Sequence, residues 1–80
     1  MSLPPLIRAV ERDIIRKLDA EQLEVGFAIT SYNEQTRAIQ YNLFSRNPKA
    51  EVPRQAQLIV DRAFRELRDC QPNYLLYHRR

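Results

Sequence analysis

Few side chains in this sequence could move protons or attack an electrophile: one histidine, one cysteine and ten carboxylates among 80 residues. A nucleophile of the Ser/His/Asp or Cys/His kind needs a base within hydrogen-bond reach. The one imidazole, His78, stands just before Arg79 and Arg80 and reads as a solvated tail residue that adds charge at most. Cys70 falls on the apolar stripe of a helical segment, where a buried thiol is a structural group and a poor nucleophile. The carboxylates mostly sit three or four residues from a base, as in Asp13 with Lys17, Asp61 with Arg65, Arg62 with Glu66, and Arg65 with Asp69. That spacing describes helix-surface ion pairs rather than two acids converging in a cleft. A single glycine cannot build a phosphate-cradling loop, and no Cys/His spacing suits zinc. The expectation is a non-catalytic protein with no cofactor, no metal and no small-molecule substrate.

The remaining chemistry is that of arginine, which supplies eleven of the thirteen basic residues. Arg8, Arg12 and Arg16 recur every four residues and form a stripe, partly neutralised by Glu11 and Asp19. Arg54, Arg62, Arg65 and Arg68 are more thoroughly interleaved with acids, and Leu58 projects among them as an exposed apolar contact. Aromatic residues flanked by arginine can stack on nucleic-acid bases. Tyr32, Phe44, Tyr74 and Tyr77 are the candidates, with Arg37 and Arg46 at the ends of a hairpin and Arg79 and Arg80 in the tail. An anion or nucleic-acid site would thus draw on Arg8, Arg12, Arg16, Tyr32, Arg37, Arg46, Tyr74, Arg79 and Arg80.

These residues must be carried by a short series of elements. Leu3, Leu6, Ile7, Val10, Ile14 and Leu18 fall on one side of a helix from Pro5 to about Gln22, with Ile15 off the stripe beside the charged face. From Glu24 to Ser45 the period changes to alternation, Val25, Phe27 and Ile29 against Ile39, Tyr41 and Leu43, which predicts two strands. For those residues to share a face, paired residue numbers must have an even sum, so the expected loop is odd, of three or five residues. A linker at Asn47–Ala50 precedes a second helix led by Pro53, with Ala56, Ile59, Val60, Ala63, Phe64, Leu67 and Cys70 on its apolar stripe. Residues 73–80 read either as a third strand through Tyr74-Leu75-Leu76-Tyr77 or as a mobile basic tail. The predicted fold class is α+β, a single small domain over 1–80 in the order α-β-β-α with a C-terminal strand in view, its two helices on one face of a small antiparallel sheet.

Neither strand body carries a charge: between Glu24 and Arg46 only Glu34 and Arg37 are charged, both near the turn. Natural sheets usually defend themselves with Lys, Pro or bulges against pairing with other chains. The undefended face, with Ala28, Thr30, Gln40 and Asn42, is therefore the expected partner surface, supplemented by Ile15 and Leu58. A second copy of the chain is the expected partner, because so small a core gains from association.

Composition agrees with a folded domain at 44% hydrophobic and 29% charged residues, and a net charge of +3 is mild for a dedicated nucleic-acid binder. One cysteine suits a reducing compartment, and neither a membrane span nor a signal-peptide core is visible, so the expected location is cytoplasmic. The leading functional expectation is a self-associating protein-interaction module whose Arg faces meet an acidic protein. The alternative is a small RNA- or DNA-binding protein.

Overall fold

A computed structural model describes residues 3–70 and 73–78. The elements are α1 (Pro5–Ala20), β1 (Val25–Asn33), β2 (Ala38–Ser45), α2 (Arg54–Cys70) and β3 (Leu75–His78). Pro5 opens α1 where a missing N–H costs nothing, and the first helical bond runs from the Arg8 amide to the Pro4 carbonyl at 2.9 Å. Gln22 ends it in the left-handed region at φ 54, its amide donating to the Asp19 carbonyl. Across the linker, Asn47 organises the turn: its side-chain Oδ1 accepts from the Lys49 amide, and its carbonyl accepts from Ala50.

The three strands lie in the order β1-β2-β3, both helices cover one side, and the α+β class read from the sequence is the fold. Val25, Phe27, Ile29, Ile39, Tyr41 and Leu43 are all buried, against Ile7, Ile14 and Leu18 of α1 and Ala56, Val60, Ala63, Phe64 and Leu67 of α2. At the centre, the Phe64 ring meets Tyr41 at 5.1 Å and Phe27 at 6.2 Å, tilted contacts of the kind aromatic rings prefer.

Four expectations change. The sheet is mixed, because β3 pairs with β2 in parallel: α2 is a crossover helix that returns the chain to the end where β2 began. The hairpin loop is Glu34 to Arg37, four residues rather than three or five. Pairing keeps the even sum from Val25↔Ser45 to Ile29↔Tyr41, then slips by one at Thr30, so that Tyr32 pairs with Ile39. This bulge supplies the residue that parity had assigned to the loop. Cys70 is exposed rather than buried, because the last turn of α2 runs into an open groove between the helices beside Ala9, Val10 and Asp13. Leu6, placed on the α1 core stripe, is 44% exposed at the edge of that stripe.

The C-terminal segment is a strand with three anchors. The Leu75 amide donates to the Arg37 carbonyl at 3.0 Å, and the Arg68 guanidinium donates twice to the Tyr74 carbonyl, from Nε at 3.3 Å and Nη2 at 3.2 Å. His78 is exposed, as expected, but anchored rather than free: its ring stacks on Tyr41 at 4.9 Å and 2°, and its Nε2 accepts from the Leu43 amide at 3.4 Å. That imidazole adds a rung to β2 where β3 runs out. The expectations for Arg79 and Arg80 lie outside the described residues.

Candidate binding surfaces

The sheet has one side open to solvent. Register places Gly26 and Ala28 of β1, Ala38, Gln40, Asn42 and Phe44 of β2, and Leu75 and Tyr77 of β3 on the side away from the helices. None of these residues is charged, and Phe44 (45%), Leu75 (46%) and Tyr77 (52%) are three of the five large hydrophobic residues most exposed among the described ones. Phe44 has a local task as well. Its ring lies over Gly26, where an added Cβ would come within 2.3 Å of the ring, so the absent side chain makes room for the aromatic cover.

The predicted partner set therefore divides. Ala28, Gln40 and Asn42 share the open face. Thr30 sits in the bulge, its hydroxyl donating to the Gln40 carbonyl at 3.1 Å, and Ser31 donates to the Gln40 side chain at 3.1 Å. Leu58 is 53% exposed on the solvent side of α2, and Ile15 faces the free edge of β1. Leu75 was missed as a face residue because the direction of β3 was not readable. Its alternation with the buried Tyr74 carried the information.

The predicted anion-binding residues are dispersed. Arg37 and Arg46 flank β2, so about 30 Å of extended chain separates them. Arg37, left-handed at φ 58, sets its guanidinium 5.9 Å from the Tyr74 ring centroid, and Arg46 approaches Asp19 at 3.9 Å. Tyr74 is 5% exposed and offers no free ring face for a base. Tyr32, turned to the helix side by the bulge, packs on it at 6.1 Å. Burial and the neighbouring Tyr74 hydroxyl raise the Tyr32 pKa above its ordinary 10.0.

On α1, Arg8, Arg12 and Arg16 are all exposed. Arg16 bonds Asp13 at 2.7 Å, and Asp13 also meets Lys17 at 2.9 Å; these two cations, Lys17 foremost, hold its carboxyl below the ordinary carboxylate range. Glu11 does not neutralise Arg8. Its carboxylate instead accepts the Ile29 amide of β1 at 2.7 Å, a role that no helical spacing signals. Among the described residues Arg8 and Arg12 close no ion pair, and of the helix pairs expected from spacing only Asp13 with Lys17 forms. Asp61 accepts from Gln57 instead.

Among the described residues no three His, Cys, Asp or Glu side chains converge as a metal-binding set, and no helix is long and apolar enough to cross a membrane. No protein-family model, curated protein or solved structure matches the chain.

Proposed function

We propose that this chain is a non-catalytic protein-interaction module whose copies associate through the open face of the sheet. The observation that carries this reading is the uncharged face itself, bearing Phe44, Leu75 and Tyr77 at roughly half exposure. A chain of net charge +3 repels its own copy wherever its cations meet, and this face is where they do not. A two-fold axis crossing the strands at Tyr41 stacks Phe44 of one copy over the partner's Ala38.

The dimensions set the strength. Three strands about 4.8 Å apart, with eight residues in the central one, give a face of about 14 by 26 Å. Two such faces amount to about 730 Å², below the ~1,200 Å² of stable interfaces, so the association is weak, with a dissociation constant in the micromolar range or above. A reducing, cytoplasmic setting fits the exposed thiol of Cys70, which has no internal disulfide partner.

Light scattering across a concentration series tests the reading. The wild type is expected to change from monomer to dimer mass in the micromolar range. Gln40→Lys with Tyr77→Lys, both on exposed positions, is expected to remain a monomer with an unchanged circular dichroism spectrum. A wild type that stays monomeric at high concentration, or a variant that dimerises as well as the wild type, refutes it.

A further inference from the structure

Alternate amides of β2 face β3. The Leu75 amide bonds to the Arg37 carbonyl, so in this parallel register the Ile39 amide donates to Leu75, and the Tyr41 amide to Tyr77. The next amide on that side is Leu43, and a side chain takes it: the Nε2 of His78 accepts at 3.4 Å. The imidazole lies flat on Tyr41, 2° from parallel, and Tyr41 in turn rests on Phe64 of α2. Stacking thus fixes the plane of the ring while Nε2 is turned to β2. Accepting at Nε2 requires the neutral imidazole, with its one proton on Nδ1.

A backbone amide can only donate, and an imidazolium carries N–H on both nitrogens. Protonation therefore turns the contact between Leu43 and His78 from donor and acceptor into two donors, and each must find water instead. Histidine is the side chain whose ordinary change of charge falls between about pH 5 and pH 8. β3 has little else to hold its end, with four residues, three of them exposed, and a short register on β2. Its beginning is tied separately by the Arg68 guanidinium on the Tyr74 carbonyl, a pairing that does not titrate in this range. The groups of β2 that the ring touches are uncharged. On α2, the side that turns Arg68 to β3 carries Asp61 about two turns earlier, already accepting from Gln57. The linker after β2 supplies Lys49 and Glu51, both exposed, and Arg79 and Arg80 follow in the sequence. Among the described residues no carboxylate closes an ion pair with His78 that would keep a charged ring in place.

We infer that His78 is a pH-sensitive latch: neutral, it docks the end of β3 on β2, and protonated, it releases that end. The stabilisation from the contact is full where the imidazole is neutral and is lost as pH falls. Its consequence rests on the interaction-module reading, since Leu75 and Tyr77 of β3 are two of the three large exposed apolar residues of the outer face. Release takes Tyr77 out of that face, and each copy gains a positive charge beside it. The dimer is therefore weaker in mild acid than at neutral pH. Docking of β3 is a property of the single chain, so the latch and the dimer fail separately.

The test is amide hydrogen exchange read by mass spectrometry at submicromolar protein, where copies are apart, from about pH 7.5 to about pH 5.5. Exchange over residues 39–43, corrected for its intrinsic pH dependence, is expected to quicken by about fivefold or more in the wild type. His78→Gln offers a side-chain carbonyl to the Leu43 amide and takes up no proton in this range, so its protection should not change with pH. His78→Phe keeps a flat ring without an acceptor and should exchange fast at both ends of the range. Light scattering on concentrated samples should show the dissociation constant of the wild type rising in acid by about the same factor, and that of His78→Gln unchanged. Wild-type protection that is constant with pH overturns the latch. So does an equal acid loss in His78→Gln, which would assign the change to another group. A chain that is monomeric throughout yet opens over 39–43 in acid upholds the latch and refutes the dimer.

Discussion

At the scale of single residues, Tyr32 carries more than its composition class suggests. It reads as an exposed aromatic for base stacking, yet the bulge at Thr30 delivers its ring to the helix side against Tyr74. Its phenol is then partly desolvated and faces a second hydroxyl, and both effects penalise the phenolate. A folded pKa raised above the unfolded value contributes stability that is fully present below 10.0 and is lost as pH rises through the folded value. The expected outcome is an alkaline limb in stability, measured by urea denaturation at a series of pH values from neutral to above 10, that is shallower in Tyr32→Phe. Identical limbs in the two proteins would mean that Tyr32 ionises as freely folded as unfolded. Asp13 works in the opposite sense: its depressed carboxyl helps at neutral pH and the help fades as pH falls through and below 3.8, by only a few tenths of a kcal/mol for so exposed a pair.

At the scale of elements, features set by a repeat period are legible in the sequence, and features set by long-range contact are not. Two helical stripes and two alternating strands suffice for the elements and the core face, because burial acts on each residue through its own position in a repeat. The bulge at Thr30 has no such mark: no glycine or proline announces it, and only the four-residue loop it permits reveals it. The role of Glu11 is equally silent, since 18 residues separate it from the amide it caps. β3 was legible as a short apolar run but not in its direction, which the α2 crossover decides. Its anchoring gives a prediction at this scale. The two hydrogen bonds from Arg68 to the Tyr74 carbonyl are charge-assisted and partly buried, so Arg68→Ala is expected to cost about 1.5 kcal/mol. The loss should concentrate in β3, read as faster amide exchange at Leu75 and Leu76. Arg65→Ala, exposed on the same helix, should change stability by less than about 0.5 kcal/mol. Equal effects of the two variants would show that the fork does not hold the strand.

At the scale of the whole molecule, the sheet meets its neighbours unequally on its two faces and two edges. The inner face is covered by α1 and α2, and the two edges are β1, largely buried from Val25 to Ile29 with its Ile29 amide taken by Glu11, and the short, mostly exposed β3. The broadest open surface among the described residues is the uncharged outer face, and an 80-residue domain has little core to spare. If copies associate through the outer face, folding and association are linked, and stability must depend on concentration. For a dimer well above its dissociation constant, each tenfold rise in concentration adds about 0.7 kcal/mol per chain. A domain of 80 residues has an unfolding entropy of about 170 cal/mol/K, so the midpoint of thermal unfolding should climb by about 4 °C per tenfold. Calorimetry over two decades of concentration measures this directly. The Gln40→Lys, Tyr77→Lys variant should give a midpoint independent of concentration, because its two like charges on each face would confront two more across the axis. A flat midpoint in the wild type would leave the outer face solvated and the copies apart, and would refute association through it.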